Sequence, residues 1–306
     1  MKGIFFHYFK GDGHIDCQGA LSQEKFEKMI LYLKSKYKIL DAKEFYDKCI
    51  NGETDENAIC LCFNCGLRSQ YDIALPILEK YNIKAFFMLY TKMITEQYVE
   101  IEVYHHFRFY AYKSIDEYYA DFFEMAKKEF GDNWESIIAA FEEEGYLKWA
   151  SYYTYQDRLH KYIRDRISKD IYDKIIQRMM ELKRYSPREH RPLMWISEEK
   201  IKKLSNDGHM IGLHTHSHPY DIGSLSYEEQ LKEYKTNKDV LEKIINKRIV
   251  SMSHPCNSYN QTTLRVLNEL NIKIGFRAND DGMIRSNLEL PSIDHATILK
   301  ELKELP

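Results

Sequence analysis

The chain has 306 residues, 44 Lys and Arg against 47 Asp and Glu, a formal net charge of -3 and a hydrophobic content of 44%. That length can fill one large α/β core, and near-neutral charge without a basic stripe excludes a typical nucleic-acid binder. No run reaches the ~18 apolar residues of a membrane span, and the chain opens on a strand-like stretch rather than a leader pattern. The expectation is therefore a cytoplasmic protein, and six cysteines without framework spacing agree with reduced thiols.

Residues 3–9 read as a first strand, and the glycines at 11, 13 and 19 mark a loop. Ser22 can cap a helix, although Lys25 stands where a capping box needs Glu or Gln. Phe26, Met29, Ile30 and Leu33 then recur at helical spacing. Residues 39–40 suit a short strand and 43–50 a short helix closed by Asn51-Gly52. The apolar run 58–63 is too short for a helix and suits a buried parallel strand. A helix over 73–81 and a strand over 84–90 follow, so strand and helix alternate as in βαβ units.

From 95 to 189 the pattern changes to Tyr, Glu, Lys and Arg at helical spacing with few breakers. Helices are expected over 115–130 and 170–184. The stretch is too long for an ordinary βα connection and reads as a helical insertion. It is scaffolding, or else a lid or a contact between copies in a homo-oligomer. His105 and His106, within its aromatic cluster, are expected at its surface. Alternation then resumes: a helix over 198–206, a strand from 209, a helix over 226–246, a strand over 249–253, a helix over 262–270, a strand over 274–276 and a final strand before Asp294.

The stretch His214-Thr215-His216-Ser217-His218-Pro219 is the densest in chemistry. In an extended backbone all three rings would point one way; in a helical turn only His214 and His218 would pair. Pro219 biases His218 away from helix, so the expected form is a strand running into a loop. Neutral imidazoles clustered at a strand end suggest a first-row metal. Cys60-x-Cys62-x-x-Cys65 could hold a metal too, but Cys60 and Cys62 on one strand face are expected to fill core.

Asn64-Cys65, the three histidines, His254-Pro255 and Asp294-His295 all fall at strand ends, where active sites of α/β barrels gather. In order and spacing they resemble the polysaccharide deacetylases, carbohydrate esterase family four. Phe6-His7-Tyr8 is similar to that family's first strand, with its Tyr-His order reversed. Cys62-Phe63-Asn64-Cys65-Gly66 stands where the family reads Thr-Phe-Asp-Asp-Gly. Residues 208–219 resemble the His-Thr/Ser-x-x-His motif, 253–260 the third motif, and Leu290–His295 the last. The resemblance implies an α/β fold, a distorted barrel of about seven strands, spanning 1–306 with the insertion inside it.

It also implies a hydrolase that deacetylates a sugar with a divalent metal, zinc first. By position His214, His218 and Cys65 would be ligands, Asn64 would stand at the general-base position, and His295 would be the acid, with Asp294 as its orienting partner or an alternative to it. His216, His254, Pro255, Asn257 and Tyr259 would line the substrate. An amide cannot take a proton, and a missing general base costs about 10²–10⁴ in rate, so His216 or Asp294 would have to stand in. A thiolate is a good zinc ligand. Two readings follow. One is a zinc-dependent deacetylase, or related deacylase, of an N-acetylated sugar or lipid-linked glycan precursor in surface-polysaccharide synthesis. The other is a barrel that has lost hydrolysis and binds a glycan or partner.

Overall fold

The computed structural model describes residues 1–17, 19–95, 100–148 and 153–303. The chain divides into two compact units, residues 1–99 with 190–306, and residues 100–189.

The first unit is an α/β barrel. Its strands are β1 (Lys2–Phe6), β2 (Lys38–Ile39), β3 (Ala58–Asn64), β4 (Phe86–Leu89), β5 (Met210–Leu213), β6 (Ser251–Ser253), β7 (Ile274–Phe276) and β8 (Ser292–Asp294). They pair in parallel in the order β7-β6-β5-β4-β3-β1-β8, with β2 beside β3. The segment entering β8 nearly closes the ring: Leu290 donates its amide to the Gly275 carbonyl at 2.8 Å, and Arg277 donates back to Leu290 at 3.0 Å. The alternation of residues around each strand decides what lies inside. Ile4, Phe6, Leu61, Phe63, Phe87, Leu89, Ile211 and Leu213 face outward and pack with helix residues such as Phe26, Leu78, Leu204 and Leu241. Phe5, Cys60, Cys62, Phe86, Met88 and Phe276 form a separate cluster, the barrel interior. Cys60 and Cys62 are thus core residues, their sulfurs 3.8 Å apart.

The interior leaves little room for side chains on some strands. A Cβ at Gly212 would stand 2.3 Å from Met88 Sδ and 2.8 Å from Ser251 Oγ, so only glycine lets β5 approach its neighbours. Aromatic rings fill this interior: Phe276 lies 5.4 Å from Phe86 and 5.7 Å from Phe45, centroid to centroid.

The outer helices carry the expected caps. Ser22 accepts from the Lys25 amide, and Ser226 with Glu229 forms a full capping box on the helix Tyr227–Ile245. The expected helix at 73–81 is in fact a π-helical turn, Gln70–Ala74, running into Leu75–Lys80.

The second unit is helical: Glu100–Tyr110, Ile115–Phe130, Trp134–Glu144, Tyr155–Tyr162 and Lys169–Leu182. Its core is aromatic, with Phe107, Tyr118, Phe122 and Tyr172 buried. The expectation that His106 lies on the surface does not hold. The ring is buried, with Nδ1 2.8 Å from the Tyr185 hydroxyl. Among the described residues no helix is long and apolar enough to cross a membrane.

Candidate metal centre

The interior alternation carries functional groups to the rim. Along β3 it runs Cys60, Cys62, Asn64; along β5 Met210, Gly212, then His214; on β6 Ser251, Ser253; on β1 Gly3, Phe5, then His7; on β8 Ser292, Asp294. Each series ends at a C-terminal strand end, where the loops after the strands converge.

After β3 the chain turns sharply. Cys65 has φ +79° and Gly66 φ +69°, and a Cβ at Gly66 would meet Leu89 Cδ2 at 2.9 Å and Met93 Cε at 3.0 Å. The Cys65 amide donates to the Met88 carbonyl at 2.9 Å, which fixes the turn against β4. After β5 the chain does not stay extended. Thr215 and His218 have φ +63° and +56°. The His218 amide donates to Thr215 Oγ1 at 3.1 Å. Glu233 accepts from the amides of His216 (3.0 Å) and Ser217 (2.8 Å) and from the Ser217 hydroxyl.

The strand ends at Leu213 and runs into a loop as expected, but the loop does not keep the three rings on one face. The turn swings His216 away, its Nδ1 2.9 Å from Thr91 Oγ1, and folds His218 back onto His214. His214 and His218 face each other, Nε2 to Nε2, at 3.2 Å. One donor atom from each of Cys65, His214 and His218 lies within 4.8 Å of the other two.

His214 is oriented from behind. Its Nδ1 is 3.0 Å from the Ser253 carbonyl and 2.8 Å from Ser253 Oγ. The carbonyl can only accept, so Nδ1 carries the hydrogen and Nε2 keeps its lone pair toward His218. Burial holds the His214 ring well below the ordinary histidine range, and the neighbouring His218 lowers it further. Burial takes His218 to about 4. Both rings are thus neutral near pH 7. The His214 Nε2 lone pair thus faces the second imidazole at 3.2 Å with a thiol close by, a donor set that a cation could bind. The set of one sulfur and two nitrogens fits zinc, with a position left open.

Asn64 is buried beside this trio. Its Oδ1 accepts from Ser253 Oγ at 3.2 Å, and its carbonyl accepts from Gln70 Nε2 at 2.6 Å. The same Gln70 amide reaches the His7 carbonyl at 2.9 Å, tying β1 to β3 at the rim. With Oδ1 occupied, Asn64 presents its Nδ2 as donor.

A second cluster, His7, Asp294 and His295, stands at the ends of β1 and β8. Asp294 lies 3.5 Å from His7 Nδ1 and 3.3 Å from His295 Nδ1. Burial raises the Asp294 carboxyl, but the His7 hydrogen bond and the His295 charge outweigh it and bring it down to about 2. His295 is buried, stacked on Phe6 at 5.9 Å, with Nε2 3.1 Å from the Gly19 carbonyl. Its ring is held by the protein. His7 is the imidazole whose charge acts on both His214 and His218. Sequence reasoning did not select it. The alternation Gly3, Phe5, His7 on a strand whose partner β3 delivers Asn64 was the available signal.

The third-motif residues are engaged with the protein. His254 stacks on Tyr259 at 4.1 Å, and its Nε2 is 2.9 Å from the Leu288 carbonyl. Pro255 is buried; Asn257 Oδ1 accepts from the Ala278 amide at 2.7 Å; Tyr259 donates to Glu289 at 3.1 Å. Together they pin the loop after β6 to the segment before β8.

A nearly closed barrel of parallel strands, with a polar set at its carboxyl rim, is the fold of the deacetylase (β/α) barrels. Solved structures agree. A Streptococcus pyogenes deacetylase, PplD, in complex with acetate has a TM-score of 0.55 and 17% identity, covering 96% of this chain and 91% of its own. IcaB from Ammonifex degensii gives 0.55 and 12%, covering 95% and 90%. A de-N-acetylase from Aggregatibacter actinomycetemcomitans gives 0.57 and 11%, covering 98% of both chains. No curated protein matches the chain in sequence. The family model described as polysaccharide deacetylase matches residues 51–275, and the chain belongs to that family.

Proposed function

We propose that the protein is a metal-dependent deacetylase of an N-acetylated sugar or glycan precursor, with Cys65, His214 and His218 holding one divalent ion, zinc first. The observation that carries this reading is the convergence of one thiol and two neutral imidazoles within 4.8 Å at the barrel rim. A bound zinc ion supplies Lewis acidity toward an amide carbonyl and toward water.

The chain's own groups do the rest. Asp294 orients His7 through Nδ1, which leaves Nε2 to accept a proton from attacking water and return it to the departing amine. Asn64 holds no titratable proton. Its Nδ2 donates toward the oxygen on which charge develops. Ser253 fixes both Asn64 and His214. The Asp294 carboxyl is too weak a base for the stand-in role, and the His216 ring is bonded to Thr91.

The test is acetate release from N-acetylglucosamine and its oligomers by zinc-loaded protein, with His7→Ala and His214→Ala as controls. Slow turnover lost in both variants supports the reading. Asn64 favours a second reading, a barrel that binds a glycan without cutting it. Saccharide binding by a metal-loaded protein that releases no acetate would select that reading instead.

A further inference from the structure

Beside the rim the barrel unit has a cavity of ≈ 340 Å³ that the reaction outlined above does not use. Its apolar wall is Met93, Trp195 and Ile196, and its polar wall carries Arg68, Arg191 and Lys200 against one carboxylate, Glu198. The wall is continuous with the metal loop. Ile196 donates its amide to the Gly66 carbonyl at 3.1 Å, and Leu67 bridges Trp195. Trp195 Nε1 donates to the Tyr90 hydroxyl, and the Tyr90 ring stands edge-on to His218 at 5.5 Å. Whatever fills this cavity lies one residue layer from the ligand set.

Its cations are held ready. Asp72, which does not line the cavity, takes Arg68 Nε at 2.8 Å and stands 3.5 Å from Lys200 Nζ. Arg68 Nη1 donates to the Pro192 carbonyl at 2.9 Å. Lys200 lies over the Tyr71 ring at 3.8 Å. These contacts fix two cations in place, although Asp72 offsets part of their charge. Arg191 is half-buried and has no carboxylate partner among the described residues. A half-buried guanidinium without an acid, next to two anchored cations and an apolar face, calls for an anion carried on a partly apolar body.

From this we infer that the cavity binds an anionic substituent of the substrate, a phosphate or a carboxylate attached to the acylated sugar. The substrate class is then a glycosyl phosphate or a uronic-acid-containing sugar rather than a neutral glycan. This rests on the deacetylase reading for the word substrate, but binding at the cavity does not require hydrolysis.

The experiment is calorimetric titration of the purified full chain with three probes: N-acetylglucosamine, N-acetylglucosamine 1-phosphate and N-acetylglucosaminuronic acid. At least one charged sugar should bind roughly tenfold tighter than the neutral one, the worth of one good charge-assisted contact. The phosphate arm and the carboxylate arm identify which anion. Arg191→Gln and Lys200→Gln should each remove most of that preference, whereas Lys273→Gln, at the opposite end of the barrel, should keep it. Equal affinity for charged and neutral sugars, no binding of any probe, or a preference that survives both cavity variants overturns the inference. Acetate release from the neutral sugar is scored separately, so a failed cavity and a failed deacetylase give different results.

Discussion

Two buried histidine clusters, one in each unit, share the same electrostatic signature and differ in meaning. In the helical unit burial drives His160 well below the ordinary range. Its Nε2 is 2.8 Å from the Tyr118 hydroxyl, and Phe122 lies 4.5 Å from its ring. Nearby, Tyr119 donates to Asp157 at 2.5 Å and Arg108 reaches the Tyr119 hydroxyl at 3.4 Å. That network pairs His160 Nε2 and both tyrosine hydroxyls within the core, leaving Arg108 Nε unpaired among the described residues. At the barrel rim His214 is depressed the same way, yet its Nε2 faces another imidazole nitrogen and a thiol lies close by. A lowered histidine pKa reports burial. A ring nitrogen that faces a second imidazole and a thiol, rather than a hydroxyl of the core, marks a candidate ligand site.

The comparison can be broken by substitution. His214→Ala should lower zinc affinity more than about 100-fold, beyond the effect of losing an outer partner. His160→Ala should leave zinc content at one ion per chain and instead cost about 3 kcal/mol in urea unfolding, the scale of a buried aromatic truncation with an orphaned hydroxyl. Metal loss from the His160 variant, or retention in the His214 variant, would invert the assignment.

Asn64→Asp sharpens the rim side. It restores a titratable oxygen next to Ser253 and should raise acetate release by about 10²-fold, with a new acidic limb in the pH profile. An unchanged rate would mean that the proton already travels through His7.

The smallest expected effect is on pH. Burial depresses His209 and His254 to about 4. Unfolding frees them to bind protons at about 6.5, so the unfolded state holds more protons between those values. Stability should be flat above pH 6.5 and fall progressively as pH drops toward 4. His209→Gln should shallow that slope, measured as the urea midpoint against pH.

How much of this was legible depended on which force set each feature. Strands such as Ile274–Phe276 and helices such as Ile115–Phe130 and Glu198–Asn206 fall where periodicity and caps put them, because burial of one face decides them. The pairing of His214 with Cys65 and His218 followed from family resemblance rather than spacing. Local pattern gave a strand running into a loop but not the shape of that loop; its turn at Thr215 is held by Thr215 Oγ1 and by Glu233 from the helix that follows. A turn fixed by a distant carboxylate has no local signature. His7 was missed for a related reason. One histidine at the end of an apolar strand looks like core until β1 is placed between β3 and β8. His295 was chosen by motif position; its ring packs on Phe6 with Nε2 at the Gly19 carbonyl, and Nδ1 faces Asp294.

The central claim is that Cys65, His214 and His218 grip one ion, and cobalt(II) absorption tests it most directly. Loading the metal-free chain should give one cobalt per protein with an intense near-ultraviolet sulfur-to-cobalt band, absent in Cys65→Ser while the weaker imidazole-cobalt transitions persist. No such band in the wild-type chain, or a band that survives Cys65→Ser, would contradict the account.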